Sequence, residues 1–172
     1  LQGKKLANNG VMLLNASFTD KGGNNIKPLS TSKTVFLRNN NINLGELDAT
    51  YAYNSMEING QRIITSPLGK GYFMLQNIDL TGLEGINFMV SSQRPFDYGY
   101  QIEARSGGSD GEVIGQMVVR KSGEEGANTQ KVVLKFNDNV KEDFQDLYIV
   151  TEALNENETV NMAILSMEMV SK

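Results

Sequence analysis

Short runs of alternating apolar and polar residues, separated by clusters of Gly, Asn, Asp and Ser, constrain the fold of this chain more than any other feature. In Tyr100–Ser106, the apolar residues Tyr100, Ile102 and Ala104 alternate with polar ones. A period of two is typical of a strand with one face in a core and the other in solvent. No segment keeps the period of 3.6 that an amphipathic helix requires. The chain is therefore predicted to be all-β, with strands at the spacing of a sandwich or jelly roll.

The strand limits follow from these runs and from the turn residues between them. Asn59-Gly60 tolerates positive φ at both residues, so it predicts a hairpin with a type I′ turn. The last run contains good helix formers, but its β-rich surroundings favour a strand over a helix. The predicted strands are Val11–Thr19, Lys33–Leu37, Tyr51–Ile58, Gln61–Thr65, Gly71–Ile78, Gly85–Ser91, Tyr100–Ser106, Glu112–Val119, Thr129–Phe136, Asp146–Glu152 and Val160–Val170.

The length of 172 residues suits one large domain with a substantial core. The polar first ten residues predict an N-terminal arm over 1–10, followed by a single β-sandwich domain over 11–172. No window of 18 apolar residues exists, so no transmembrane segment is predicted in this fragment. Since Leu1 is not a natural start, we expect a mature or trimmed fragment, with any export signal or lipid anchor upstream.

Three residue types are missing, and each absence excludes a kind of chemistry. The chain has no Cys, which excludes disulfides and thiolate sites, and no His, the commonest general base and metal ligand. It also has no Trp. A net charge of −4 and only 16 Lys and Arg argue against nucleic acid as a partner.

The glycine-rich stretch "SGGSDG", residues 106–111, raises the question of a phosphate cradle. Such a cradle lies between a strand and the N-terminus of a helix. Here a second strand follows, so the stretch is predicted to be a turn in which glycines serve backbone geometry.

The acidic residues suggest two further kinds of site. A glycosidase needs two facing carboxyl groups, and Asp97, Glu103 and Glu112 are available, but nothing in the sequence brings a pair together. The stretches at 137–146 and 155–158 are rich in the oxygen ligands that calcium prefers, although the EF-hand spacing is missing. We predict no cofactor; a structural calcium ion is an open alternative and no metal ligand is assigned.

Aromatic residues carry the binding hypothesis, because the C–H faces of a sugar stack on flat rings while polar groups hold its hydroxyls. In "RPFDYGY", residues 94–100, Pro95 and Gly99 break the strand, so some rings there are expected to be exposed. Tyr98 and Tyr100 are predicted to stack on a ligand. Arg94 and Asp97 are predicted to bind its hydroxyls.

Two other pairs of rings are candidates for the same role, Tyr51 and Tyr53 in "TYAY" and Tyr72 and Phe73 in "GYF". Tyr51 and Tyr53 are expected on one face of their strand, so the alternative explanation for this pair of rings is packing in the core. Tyr72, in "GYF", is expected to support the loop at residues 94–100 in binding the ligand.

Over residues 69–170 the chain resembles family 6 carbohydrate-binding modules. The resemblance rests on the order of "GKGYFMLQNIDLTGLEGINFMVSS", "YQIEARSGGSDGEVIGQMVV", "TQKVVLKF", "FQDLYIVTEA" and "NMAILSMEMV". It implies a jelly-roll β-sandwich of the galactose-binding-like type, an accessory role without catalysis, and a glycan or oligosaccharide as ligand. In that family a Trp opens the Gln-containing strand, and here Thr129, or the nearby Asn128, takes its place. The Asn near the family's closing strand has Asn161 close to its position, and the closing strand reads Ser166 within "AILS".

A second resemblance covers residues 1–40. "LLNASFTDKGG" and "KPLSTSKTVFLRN" are similar to segments that lead into such modules in large exported bacterial proteins. It implies a periplasmic, cell-surface or extracellular location and a catalytic domain upstream in the same protein.

Two functions therefore stay open. The first is a carbohydrate-binding-module-like accessory domain that binds glycan weakly through Arg94, Asp97, Tyr98, Tyr100 and Tyr72. The second is a structural or protein-docking β-sandwich that has kept the fold without sugar binding, and the missing Trp favours it. The aromatic loop at 94–100 favours the first. An enzyme is not predicted.

Overall fold

The computed structural model describes residues 12–23, 27–120, 129–138, 140 and 143–171. Every regular element in these ranges is a strand, so the predicted all-β class is confirmed. Nothing in the same ranges is a helix long and apolar enough to cross a bilayer. The strands are β1 (Met12–Thr19), β2 (Ser30–Leu37), β3 (Asn41–Ile42), β4 (Ala49–Tyr51), β5 (Asn54–Ile58), β6 (Gln61–Thr65), β7 (Lys70–Asp79), β8 (Leu83–Ser91), β9 (Tyr100–Ser106), β10 (Glu112–Val119), β11 (Gln130–Lys135), β12 (Phe144–Ala153) and β13 (Ala163–Ser171).

The chain divides into two compact units, at residues 1–39 and 40–172. In the first unit, β1 and β2 form an antiparallel ladder that runs from Met12 opposite Leu37 to Thr19 opposite Ser30. The described residues of this unit also include a hydrogen bond from the backbone N–H of Asp20 to the carbonyl of Leu29, just beyond the paired strands. The single domain over 11–172 stays a prediction from the sequence, and the boundary that the sequence places at residue 10 lies outside the described residues.

The second unit is a sandwich of two antiparallel sheets. One has five strands in the order β10-β9-β12-β7-β4, and the other follows the order β11-β8-β13-β6-β5, with β3 also paired to β13. The inward residues of both sheets form one apolar core, which includes Phe73, Leu75 and Ile102 from the first sheet and Phe88 and Ile164 from the second. The jelly-roll β-sandwich predicted from the sequence is confirmed.

The prediction of one continuous strand over Tyr51–Ile58 is wrong, because the segment forms two strands. Ala52 has a φ of +63°, which ends β4 and starts a new direction for β5. As a result β4 joins the five-stranded sheet and β5 the six-stranded one. The two tyrosines around the break also part: Tyr51 is 60% exposed, whereas Tyr53 packs edge-on against Phe73. They do not share a face, contrary to the sequence prediction.

Two other predictions of local structure are confirmed. Asn59 and Gly60 have φ angles of +52° and +77°, which a type I′ turn between β5 and β6 requires. The closing segment is a strand, β13, and a bulge between Ile164 and Ser166 lets Met167 continue the buried face that Ile164 began.

Candidate ligand-binding site

The predicted binding loop at residues 94–100 is held by an ionic and hydroxyl network. Arg94 Nη1 lies 3.3 Å from Asp97 Oδ1, and the hydroxyl of Thr159 donates to Asp97 Oδ2 at 2.5 Å. A second guanidinium nitrogen of Arg94 donates to the same Thr159 hydroxyl. The Thr159 hydroxyl, and then Arg94, lower the pKa of the Asp97 carboxyl despite the opposing effect of desolvation. Arg94 and Asp97 lie side by side, and their polar groups bind each other and Thr159; their predicted contact with ligand hydroxyls stays a prediction.

A buried carboxylate, Glu158, fixes the backbone of this loop. Its two oxygens accept hydrogen bonds from the backbone N–H groups of Tyr98 and Gly99, both at 2.8 Å, of Val160 at 3.0 Å and of Asp97 at 3.2 Å. Burial opposes ionisation of Glu158, but these donors outweigh it and lower the pKa of the carboxyl. Glu158, which belongs to the stretch at 155–158 considered for calcium, therefore organises the backbone of this loop instead.

The aromatic rings of the loop separate into one exposed ring and two buried ones. Tyr98 is 47% exposed, in agreement with the prediction that some rings here face solvent. Phe96 is buried and packs edge-on against Tyr100 at 5.5 Å between centroids. The assignment of Tyr100 as a stacking residue is wrong, because its side chain is fully buried.

The physical reason is the alternation that already marked Tyr100 as an inward position of β9. Its hydroxyl points to the carbonyl oxygens of Val160 at 3.0 Å and Pro67 at 3.2 Å. Burial is the main cause of a raised pKa at this hydroxyl. Tyr100 therefore anchors β9 to the segments around it and does not contact a ligand at the surface.

Arg94 lies at the polar end of an open cavity of about 690 Å³ on the outer face of the six-stranded sheet. We call this cavity the hairpin groove, because the β5–β6 hairpin forms one side of it. The groove is lined by Met56, Ile58, Ile63, Thr65, Ser91, Ser92, Gln93, Arg94, Thr159, Val160, Asn161, Ala163 and Leu165.

The positions that the family resemblance singled out lie near this groove without forming a ring platform. Thr129 donates its hydroxyl hydrogen to Ser91 Oγ at 3.1 Å, and Asn128 lies outside the described residues. Asn161 lines the groove and donates from Nδ2 to the carbonyl of Ser66 at 2.8 Å. No aromatic residue is among the described residues that line the hairpin groove.

Tyr72 lies on the other sheet, away from the neighbours that the sequence predicted for it. It stacks on Tyr51 of β4 with centroids 5.5 Å apart and planes 19° apart, and it contacts Tyr148 of β12 at 5.6 Å. We call Tyr51, Tyr72 and Tyr148 the tyrosine surface. It lies on the outer face of the five-stranded sheet, because the neighbouring Phe73 points into the core. Tyr51 lies on β4, the edge strand of this sheet in the described order, and its side chain is 60% exposed.

Charged and polar side chains of β9 continue the same outer face. Glu103 accepts hydrogen bonds from Gln101 Nε2 at 2.6 Å and from Arg105 Nε at 2.7 Å. Arg105 also donates to the carbonyl of Gly111 at 2.9 Å. The outer face therefore has an aromatic half on β4, β7 and β12 and a hydrogen-bonded polar half on β9.

The "SGGSDG" stretch is a turn between β9 and β10, as predicted, and it also contributes to this face. A Cβ on Gly111 would lie 2.0 Å from the carbonyl oxygen of Ser106, so only glycine fits there. From the same turn, Asp110 Oδ1 lies 3.8 Å from Lys70 Nζ of β7. This ion pair spans β12, whose outward-facing Val150 is only 2% exposed.

The oxygen-rich stretches proposed as calcium ligands give no cluster in the described part of the chain. No group of three or more acidic side chains that could hold a metal ion is found there. Asn139, Lys141 and Glu142 of the first stretch lie outside the described residues, and a structural calcium ion stays an untested alternative. Part of the second stretch has another role, since Asn155 caps its own turn by accepting from the backbone N–H of Asn157.

Sequence reasoning missed the tyrosine surface and the hairpin groove. Tyr148 was never singled out, because it is brought beside Tyr72 only by the pairing of β7 with β12. The alternation within each strand could have placed Tyr72 and Tyr148 on the outer face, because both lie between buried neighbours. The order of the strands, which the alternation does not give, was also needed.

Comparison with known proteins gives structural matches only. The sequence matches no protein-family profile and no curated protein. A family 6 carbohydrate-binding module from Clostridium stercorarium, solved with cellobiose, is 15% identical with a TM-score of 0.60, over 78% of this chain and 95% of that one. A β-1,3-glucan-binding module of the same family from Bacillus halodurans is 18% identical with a TM-score of 0.60, over 77% and 96%.

A third match is to part of a larger enzyme. The family 43 arabinoxylan arabinofuranohydrolase from Bacillus subtilis, solved with cellotetraose, is 13% identical with a TM-score of 0.62. The match covers 80% of this chain and 29% of the enzyme. The chain therefore has the fold of the family 6 carbohydrate-binding modules.

Proposed function

We propose that this chain is a non-catalytic, glycan-binding accessory domain of an exported bacterial protein. The observation that carries the proposal is the tyrosine surface, where the Tyr51 ring, 60% exposed, stacks on the ring of Tyr72. Sugar rings stack on such faces through their C–H groups. The similar solved structures, which include modules bound to cellobiose or named for binding β-1,3-glucan, support this choice of ligand class.

Polar side chains stand beside the rings at a suitable position for sugar hydroxyls. Lys70 and Glu152 face each other across β7 and β12, two residues along from Tyr72 on the same outer face. Both are exposed. A sugar stacked on Tyr51 and Tyr72 would extend toward this pair, whose ammonium and carboxylate supply a donor and an acceptor. Weak binding is expected, because one open face and a few hydrogen bonds bury little of the ligand.

The loop at 94–100 supplies a second, smaller contact in this proposal. Tyr98 offers an exposed ring, and Arg94 keeps guanidinium N–H groups beyond those bound to Asp97 and Thr159. Tyr100 is not part of the proposed site. An accessory role within a longer protein is supported by the match to a domain-sized part of the arabinofuranohydrolase. An upstream catalytic domain would then be held near its polysaccharide by this domain.

Affinity gel electrophoresis on xylan, β-1,3-glucan and hydroxyethyl cellulose tests the proposal. Retardation by at least one polysaccharide is expected, with a loss of about tenfold in affinity for Tyr51→Ala, as the loss of one stacked ring predicts. Tyr98→Ala is the matched control, a ring of similar exposure on another part of the sandwich, and a smaller loss is expected. Retardation by none of the polysaccharides would contradict glycan binding. Loss with Tyr98→Ala alone would move the site to the loop.

A further inference from the structure

We infer that the β1–β2 hairpin binds the surface of an anionic lipid bilayer. The hairpin belongs to the first compact unit, at residues 1–39, whereas the proposed sugar site belongs to the second, so the two sites share no residue. Two independent features of the first unit point to such a surface: an exposed apolar face and an excess of positive charge.

One face of the hairpin is apolar and exposed. Met12, Leu14 and Phe18 alternate along β1, so they lie on the same face, and their side chains are 59%, 50% and 68% exposed. We call these three residues the apolar face. Leu29, just before β2, is also 68% exposed, and no large apolar side chain among the described residues is more exposed than Phe18 and Leu29. Neighbouring apolar side chains at a surface mark contact with a partner or a membrane.

Over residues 15–19 the opposite face of β1 is polar. Asn15 Nδ2 donates to Thr34 Oγ1 at 3.3 Å, and the hydroxyls of Thr19 and Ser30 lie 2.8 Å apart. These polar side chains bind each other across the ladder, which leaves the apolar face as the side that gains from being covered. A two-stranded hairpin alone is only marginally stable in water, so a surface that covers the apolar face would also stabilise the ladder.

The first unit is basic and the second is acidic. Residues 1–39 contain six Lys and Arg and one acidic residue, Asp20, a net charge of +5, whereas residues 40–172 have a net charge of −9. Asp20 Oδ1 accepts from the backbone N–H groups of Gly22 and Leu29, at 2.8 and 3.0 Å, so this carboxylate holds the turn. Salt screens charges over about 8–10 Å, so an anionic surface attracts the first unit and repels the second.

Three of the cations lie beside the apolar side chains. Lys33 is opposite Ala16 in the ladder, so it lies on the same face as Phe18. Lys21 and Lys27 are exposed in the loop beyond the last pair of the ladder. Apolar side chains flanked by lysines match the boundary between acyl chains and anionic headgroups. Nucleic acid or an acidic polysaccharide would supply the charge without an apolar layer for Phe18.

Flotation of the full chain with large vesicles tests the inference. Binding is expected to vesicles of equal parts phosphatidylcholine and phosphatidylglycerol in about 0.1 M NaCl, with at least tenfold weaker binding to pure phosphatidylcholine. Because the chain has no Trp, Phe18→Trp introduces a single fluorophore, whose emission should move to shorter wavelength on the anionic vesicles. Val133→Trp, at an exposed position of β11 in the second unit, should show no such change.

Two variants assign the contacts, and each has a matched control on β11. Phe18→Ser should weaken binding to the anionic vesicles about tenfold, and Lys27→Gln about fivefold, the size expected for one lysine near the surface. Lys27 lies outside both strands, so its loss leaves the ladder intact. Val133→Ser and Lys131→Gln, at exposed positions of the second unit, should bind as the unaltered chain does.

Three results would overturn the inference. The first is no binding to the anionic vesicles, and the second is an equal loss in the variants and their controls. The third is a dimer in sedimentation velocity that Phe18→Ser dissociates, because a second copy of the chain would then cover the apolar face. None of these results bears on the retention of the chain by polysaccharides.

Discussion

Replacement of Glu158 by Gln should destabilise the sandwich more than the same exchange at an exposed carboxylate of the described residues. The carboxylate is buried, and each of its oxygens accepts at least two backbone N–H groups, from Tyr98 and Gly99 on one oxygen and from Asp97 and Val160 on the other. In Gln, one oxygen becomes an NH₂ group, which leaves two buried donors unpaired. Each unpaired donor costs about 1–3 kcal/mol.

The free energy of unfolding should therefore fall by about 2–5 kcal/mol, which lowers the melting temperature by roughly 10 °C for a chain of this size. Urea unfolding followed by far-UV circular dichroism measures the change, since the chain has no Trp to report by fluorescence. Glu152→Gln is the matched control, because that carboxyl is exposed on the neighbouring strand β12. Its effect should stay within about 0.5 kcal/mol.

The pH dependence of the same pair of proteins tests the cause. The pKa of Glu158 is lowered in the folded chain, so its contribution is present above the pKa of the unfolded state and is lost as the pH falls through the lower folded value. The stability difference between Glu158 and its Gln variant should thus shrink as the pH falls below about 4. A difference that stays constant in acid, or a loss no larger than that of Glu152→Gln, would refute the reasoning.

Two further exchanges test the packing of the sandwich. Gly111→Ala should lower the free energy of unfolding by about 1–3 kcal/mol, because its Cβ would lie 2.0 Å from a carbonyl oxygen. Gly108→Ala is the control: its Cβ would have no atom closer than 3.7 Å, so its loss should be clearly smaller. Equal losses in urea unfolding would contradict the steric argument. Tyr53→Phe should lower the free energy of unfolding by about 1–2 kcal/mol, because it removes the 2.6 Å hydrogen bond to the hydroxyl of the fully buried Thr151. Tyr51→Phe, at an exposed ring, should leave the free energy of unfolding nearly unchanged. Similar losses of stability in both Phe variants would contradict a stabilising role for the Tyr53 hydrogen bond.

The sequence predicted those parts of the fold that local pattern determines. Alternation placed β9 and β10 at their observed limits, and Asn59-Gly60 identified its hairpin because positive φ at two residues has a recognisable composition. Ala52 adopts a φ of +63° without such a signal, so the break that sends β4 and β5 to different sheets was not predictable. Neighbouring strands, rather than Ala itself, impose that conformation.

The candidate site was less predictable because it depends on contacts between distant segments. The Pro and Gly in the loop at 94–100 predict that some of its rings are exposed, and Tyr98 is one of them. Tyr100 is buried, because the alternation along β9 places it on the inward face. Tyr148 reaches Tyr72 through strand order alone, and Glu158 reaches the loop at 94–100 from the segment between β12 and β13. Neither contact has a signature in the linear sequence.

The back-to-back arrangement of the two sheets has a consequence for valency. The tyrosine surface and the hairpin groove point away from each other, with the apolar core between them. A ligand on the tyrosine surface would leave the outer face of the opposite sheet accessible, so the sandwich has room for a second contact there. Two weak contacts with the same partner would reinforce each other, because the first raises the effective concentration at the second.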